Sequence, residues 1–266
     1  MTNQQIAAVT GVTGYVGGRL VPELLRAGFA VRGIARNPKR LRDRPWRSQI
    51  EVAEADLTDP EATRAALEGV DVAYYLVHSL SADSTFAAKD RRTALTFAQA
   101  AREAGVSRIV YLGGMHPEAG PGELSDHLES RKEIGEILLA SGVPTAALQA
   151  AVILGSGSAS FEMMRSLTER LPAMVAPRWV ETKIQPIAVR DVLRYLVGAA
   201  TLPADVSRTF DIAGPEVLTY REMIQRYAKA AGLPRRIIVR VPLLTPHLSS
   251  LWVGLVTPVP VSIARP

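Results

Sequence analysis

Thr10-Gly11-Val12-Thr13-Gly14-Tyr15-Val16-Gly17 is the stretch on which the reading of this chain turns. It follows an apolar run, Ile6-Ala7-Ala8-Val9, and opens a segment with helical character from Tyr15 to Ala27. The first glycine permits a tight turn from strand to helix. The second lets backbone N–H groups approach a pyrophosphate, and the third lets the helix pack close to its strand. The helix N-terminus adds unpaired donors and a partial positive charge for the phosphates. The spacing is G-x-x-G-x-x-G rather than the usual G-x-G-x-x-G, and three glycines also mark ordinary turns. The placement after a strand and before a helix favours nucleotide binding over a plain structural turn. On that reading Gly11, Thr13, Gly14, Tyr15, Val16 and Gly17 form the cofactor turn.

Outward from this turn, strand and helix signals alternate. Apolar strands are expected near 5–10, 30–35, 50–54, 71–77, 107–113 and 144–150, with helices near 15–27, 60–68, 83–104 and 126–140. Gly28, Gly69, Gly105 and Gly142 each follow a helical stretch, where a left-handed residue ends a helix. Thr58-Asp59-Pro60 reads as a cap with proline in the first turn. Pro22 falls inside the first helix, which ordinarily costs about 3 kcal/mol or a kink, and nothing in the sequence explains it. Short continuous Val/Ile/Leu/Ala strands separated by helices predict an α/β fold with a buried, doubly wound parallel sheet. Ligands then sit beyond the carboxyl ends of the strands. After residue 155 the rhythm changes to a helix near 158–170, a proline-rich connection, a helix near 190–200, a strand near 208–213 and a helix near 219–231. The expected division is a dinucleotide-binding domain over 1–155 and a smaller substrate-side region over 156–266, interleaved with the same fold.

The end of the second strand speaks to the cofactor. An NAD site places Asp or Glu there, on the ribose hydroxyls. Here Ala30-Val31-Arg32-Gly33-Ile34-Ala35 ends in Arg36, with Lys39 and Arg40 close behind. An arginine at that point can clamp a 2′-phosphate through charge-assisted bonds, which favours NADP(H) over NAD. The competing reading is a solvated basic loop. Asp56-Leu57 follows the third strand, where Asp56 either accepts from the adenine amino group, with Leu57 against the ring, or caps the next helix. Leu76-Val77-His78 ends the fourth strand, where the backbone passes the cofactor ribose.

Composition sets limits. No cysteine is present, so thiolate catalysis and disulfides are excluded. His78, His116, His127 and His247 lack ligand spacing, and no metal site is expected. The net charge of +5 is modest. Arg36, Lys39, Arg40, Arg42, Arg44 and Arg47 cluster, but no nucleic-acid-binding module accompanies them. The start MTNQQIAAVTG lacks the pattern of a signal peptide, so a cytoplasmic protein is expected. From Val241 to Ala264 no residue is charged, but Pro242, Pro246, Pro258 and Pro260 interrupt the run. An irregular apolar segment packed on a core or a partner is expected there, with a peripheral membrane contact through 241–264 as the alternative.

Taken together, these residues resemble the short-chain dehydrogenase/reductase superfamily, with its Rossmann-type sheet, in the atypical NAD(P)H-binding branch related to the NmrA-like regulators. The glycine start, Arg36-Asn37-Pro38, Ala55-Asp56-Leu57 and the order of elements all fit. His127-Leu128-Glu129-Ser130-Arg131 and Gly155-Ser156-Gly157-Ser158-Ala159-Ser160-Phe161-Glu162 are similar to a bacterial group whose members often carry a further C-terminal domain. Such a domain would begin near Pro258-Val259-Pro260.

The resemblance implies a Tyr-x-x-x-Lys pair on the helix after the fifth strand and a serine at that strand's end. This chain departs from the pattern at all three places. The strand Ile109-Val110-Tyr111-Leu112 ends in Gly113-Gly114, and His127 and Arg131 stand where tyrosine and lysine are expected. The two lie i,i+4 on one helical face. His127 can move a proton near neutral pH, and Arg131 can hold ribose hydroxyls without deprotonating. Either His127 is the general acid of a reductase, or the pair only binds cofactor. Tyr111 is expected in the core, His116 in a loop bordering the substrate. Two functions follow: an NADPH-dependent oxidoreductase reducing a small or apolar carbonyl, enone or quinone, or a non-enzymatic NADP(H) sensor or assembly factor that meets a regulatory protein partner. Nucleotide-sugar epimerisation needs the missing Tyr-Lys pair.

Overall fold

The computed structural model describes residues 4–77, 86–116 and 125–240. The chain begins β1 (Ile6–Thr10), α1 (Tyr15–Arg26), β2 (Ala30–Ala35), β3 (Glu51–Glu54), α2 (Pro60–Leu67), β4 (Val72–Tyr75), α3 (Phe86–Glu103), β5 (Arg108–Gly114), α4 (Asp126–Leu139) and β6 (Thr145–Ala150). It continues β7 (Ile153–Leu154), α5 (Ala159–Arg170), β8 (Ala173–Ala176), β9 (Lys183–Ile184), β10 (Ile187–Ala188), α6 (Val189–Ala199), β11 (Arg208–Ile212), β12 (Leu218–Thr219), α7 (Tyr220–Ala230) and β13 (Ile237–Arg240).

Seven strands form one sheet in the order β11-β6-β5-β4-β1-β2-β3, and every neighbouring pair is parallel. The chain steps outward from β1 to β3, returns to β4 beside β1, then steps outward to β11. This is the doubly wound, Rossmann-type sheet expected from the alternation of elements, and its order reverses between β1 and β4. A ligand crevice opens at such a reversal, beyond the carboxyl ends.

Burial follows from the covering of both faces. β4 is buried along its whole length, as a central parallel strand must be. Its adjacent tyrosines serve opposite faces. Tyr75 packs edge-on to Phe97 of α3 at 4.9 Å between ring centroids, whereas the Tyr74 hydroxyl donates to the carbonyl of Leu196 in α6 at 3.2 Å. Thr10, fully buried, ties β1 to β4 beyond their ladder: its hydroxyl donates to Tyr74 O at 2.9 Å and accepts from Leu76 N at 2.9 Å.

The chain divides into two compact units. Among the described residues the first holds 4–77, 86–116, 125–150 and 190–212, and so contains the whole seven-stranded sheet. The second holds 151–189 and 213–240. Within it β8 and β13 pair in parallel, and Met174, Ala176, Val180, Ile224 and Ile238 form a small apolar core. A capping box of Thr219 and Glu222 starts α7. The strands β7, β8, β9, β10, β12 and β13 are additions to the sequence reading. They span two to four residues, too short for a period of two to emerge. Residues 241–264, for which an apolar packing segment or membrane contact was expected, lie outside the described residues. Among those described, no helix is long and apolar enough to cross a membrane.

Pro22 finds its explanation in a distant side chain. A proline in a helix donates nothing to the carbonyl four residues earlier, here Gly18. The indole Nε1 of Trp46, itself buried, donates to Gly18 O at 3.1 Å. The acceptor orphaned by the proline is thus satisfied from the β2–β3 connection. Trp46→Phe should lower stability by about 1–3 kcal/mol, the cost of a buried unsatisfied acceptor, measured by urea unfolding. In a Pro22→Ala background the new N–H replaces the indole, and the penalty of Trp46→Phe should shrink.

Candidate functional site

The turn after β1 is closed by a bond from Gly14 N to Gly11 O at 2.8 Å. Gly11 has φ +63°, a conformation that disfavours any side chain. A Cβ there would lie 2.6 Å from Leu76 O, at the end of β4. A Cβ on Gly17 would lie 2.4 Å from Gly11 O, so α1 presses directly on the turn. Gly14 is exposed, at the mouth. Val12 is fully buried and anchors the loop, while Thr13, Tyr15 and Val16 are half-buried around it. The Arg19 guanidinium lies over the Tyr15 ring, 4.0 Å from its centroid.

The entrance to α1 suits an anion. No side chain caps this helix, and no acidic residue occupies its first turn. By contrast Asp59, Ser158 and Thr219 cap α2, α5 and α7 with side-chain oxygens. The residues present therefore fit a bound pyrophosphate: a turn framed by glycines, facing a helix N-terminus left uncapped.

The ends of β2 and β3 lie beside this turn. Arg36 and Lys39 are exposed. Asn37 fixes their connection, its Oδ1 accepting from Lys39 N at 3.1 Å, and Leu41 is fully buried beneath. From the same basic segment Arg44 returns to the turn, its Nη2 donating to Thr13 O at 3.2 Å. Sequence reasoning counted Arg44 among the cluster but gave it no place at the site. Asp56 is exposed after β3. Hydrogen bonds from the Thr58 backbone and hydroxyl, then the charges of Arg36 and Lys89, hold its carboxyl below the ordinary value. The capping of α2 falls to Asp59, which accepts from Glu61 N and Ala62 N. Leu57 sits in the main apolar core at 7% exposure rather than on the surface. Leu76 and Val77 line the turn at the end of β4, Val77 Cγ1 standing 3.4 Å from a Cβ on Gly11. His78 lies outside the described residues.

On the other side of the order reversal are the ends of β5 and β6 and the start of α4. Both glycines that end β5 are enclosed. A Cβ on Gly113 would lie 2.8 Å from Tyr111 Cε1, and one on Gly114 would lie 3.1 Å from Arg131 Nη1. A serine at Gly113 would press on the Tyr111 ring, and one at Gly114 would need the Arg131 side chain to give way. Tyr111 is 3% exposed, a core residue as expected, and its hydroxyl donates to Arg131 O at 2.9 Å. Burial holds its phenol far above the ordinary value, so it stays protonated. Arg131 is half-buried with its guanidinium over the backbone of Gly114. His127, one turn earlier on α4, is stacked on Phe86 of α3 at 4.5 Å and 30°. The structure thus keeps an imidazole ring and a guanidinium on adjacent turns of α4.

His116 follows β5 and makes a contact the sequence did not disclose. Its Nε2 lies 3.0 Å from Nε2 of Gln149, on β6. The backbone continues the pairing there, with Met115 N donating to Ala150 O at 2.8 Å. Gln149 was missed. Its signal was one polar side chain in the otherwise apolar end of Thr145-Ala146-Ala147-Leu148-Gln149-Ala150.

Other polar side chains nearby in sequence serve the starts of helices. Ser158 caps α5, accepting from Phe161 N at 3.2 Å, and Glu162 accepts from Gly157 N at 2.9 Å. Asp191 is a first-turn acid of α6 beside Arg194. Among the described residues no group of three acidic, histidine or cysteine side chains is placed to hold a metal.

Comparison with known proteins agrees with this geometry. A family described as NAD(P)H-binding matches residues 11–154, the turn through the start of the second unit. A (4-alkanoyl-5-oxo-2,5-dihydrofuran-3-yl)methyl phosphate reductase of Streptomyces griseus is 29% identical over 229 residues, 86% of this chain and 74% of that protein. An NAD(P)H azoreductase of Xenophilus azovorans is 27% identical, over 86% of this chain and 75% of its own. Other curated relatives are longer, and the chain spans 50% of them. In fold, it is similar to the triphenylmethane reductase of Citrobacter sp. solved with NADP(H), with a TM-score of 0.75 at 19% identity, covering 98% of this chain and 87% of that one. The match begins at the glycine turn and covers more than half of the chain, and the chain belongs to the NAD(P)H-binding family.

Proposed function

We propose that this protein is an NADPH-dependent oxidoreductase that reduces a small or apolar carbonyl, enone or quinone. The observation that carries this reading is the pairing of a dinucleotide turn with a second strand that ends in an exposed Arg36, at the place where an NAD site carries an acid. Arg36 and Lys39 hold the 2′-phosphate, and Arg44 braces the turn through Thr13 O. Asp56, kept ionised, faces the adenine side. Arg131 supplies a permanent cation for ribose hydroxyls beside Gly114. When bound, the reduced nicotinamide supplies a hydride. His127, held against Phe86, delivers the proton to the substrate oxygen, so one hydride and one proton convert a carbonyl to an alcohol. The relatives named as reductases support the direction of the reaction.

A second reading, a non-enzymatic NADP(H) sensor, is favoured by one observation. The strand-end phenol, Tyr111, is turned into the core and spent on Arg131 O, so no tyrosine serves as proton donor on this strand. A sensor binds NADP(H) without turnover and meets its partner differently with the oxidised and reduced forms.

Steady NADPH consumption with a panel of quinones, enones and aldehydes tests the first reading. Tight cofactor binding with no consumption across the panel would exclude it in favour of the sensor. Arg36→Ala should weaken NADPH binding by about tenfold or more while leaving NADH within about twofold, read by cofactor fluorescence. Gly17→Ala forces a Cβ against Gly11 O and should weaken both cofactors by about tenfold or more. Gly198→Ala, in α6 with open space around it, should leave binding unchanged and raise stability by up to about 1 kcal/mol.

A further inference from the structure

The site as described lacks a group to hold the substrate oxygen. In the resembled superfamily a serine at the end of the fifth strand does so, and here Gly113 and Gly114 stand in its place, packed against Tyr111 and Arg131. The His116–Gln149 contact lies just beyond those glycines, at the carboxyl ends of β5 and β6. These strands stand on the β4 side of the order reversal, opposite the basic end of β2. A dinucleotide laid across the crevice with its adenosine phosphate at Arg36 brings its nicotinamide half to this side.

The contact also fixes the chemistry of the ring. With the Gln149 amide nitrogen facing it, Nε2 of His116 is the acceptor, which leaves Nδ1–H as the donor that a neutral ring would present. Gln149 therefore does for His116 what a third residue does in catalytic triads: it selects the tautomer and holds the ring plane. Both residues are half-buried rather than enclosed, so a small molecule can approach them. Their backbones are rigid, because Gly113 and Gly114 pair with Gln149 and Ala150 and Met115 N extends the ladder by one more bond.

We propose that His116 and Gln149 form the acceptor-binding pair of this protein, with Nδ1–H of His116 donating to the carbonyl or quinone oxygen of the substrate. His116 touches the substrate, and Gln149 is a positioning residue that acts through it. The inference rests on the reductase reading for the identity of the substrate class, and on geometry alone for the pair. It divides the labour between two histidines: His116 binds the oxygen before reduction, and His127 supplies the proton.

The experiment compares wild type, His116→Phe, His116→Asn and Gln149→Leu, with 2-methyl-1,4-naphthoquinone and acetophenone as probes. Expected for each variant is a rise in acceptor KM of at least about tenfold, with NADPH affinity within about twofold of wild type. Imidazole NMR supplies a readout independent of turnover. Wild type should show His116 protonated on Nδ1, with its ring signals shifting when acetophenone is added in the presence of NADP+, where no hydride is available. In Gln149→Leu the tautomer preference and the shift should both be lost. Normal KM in the variants, or a wild-type ring that does not respond to acetophenone, overturns the proposal. If wild type consumes no NADPH with any acceptor, the reductase reading fails by itself, and the NMR shift still decides whether the pair binds a carbonyl oxygen.

Discussion

Everything at the carboxyl end of this sheet depends on two places where a β-carbon cannot be. Gly11 runs against the carbonyl of Leu76, and Gly17 runs against the carbonyl of Gly11. Through these contacts the end of β4, the turn after β1 and the first turn of α1 become one rigid layer. Thr10 reinforces it by bonding both Tyr74 O and Leu76 N. The uncapped helix is directed at that layer and the basic end of β2 lies beside it, so an anion meets backbone donors and side-chain cations together. The NAD(P)H-binding turn is thus built from close backbone packing, with basic side chains placed beside it.

The end of β5 follows a different logic. Its two glycines pack against Tyr111 and Arg131, and these are themselves joined by a hydrogen bond. One change at this strand end therefore entails the others. A side chain at Gly113 or Gly114 would require Tyr111 or Arg131 to move. Around it stand His127 stacked on Phe86, the Arg131 guanidinium against Gly114, and His116 beside the Gln149 amide.

Much of this was legible in the sequence because it is local. The glycine turn, the strand and helix alternation, and the cap at Thr58-Asp59-Pro60 are written in residues a few positions apart. The placement of His127 and Arg131 on one helical face needs only the helical period. The short strands of the second unit were not legible, since two to four residues carry no period. Nor was the role of Trp46, which lies 28 residues from the carbonyl it satisfies. Gln149 and Arg44 were visible as letters but not as partners, because His116 and Thr13 reach them only after the sheet has formed.

The sequence by itself determined that a strand, a glycine turn and a helix would meet at a dinucleotide, and that the second strand would end in positive charge. Those conclusions rest on backbone sterics and on residue type, which need no long-range information. Only the tertiary structure decided why Pro22 is tolerated, what packs against the glycines that end β5, and that His116 meets Gln149. Each of these depends on atoms brought within about 3 Å by the parallel register of separate strands and their connections, at the short range where hydrogen bonds and steric exclusion act.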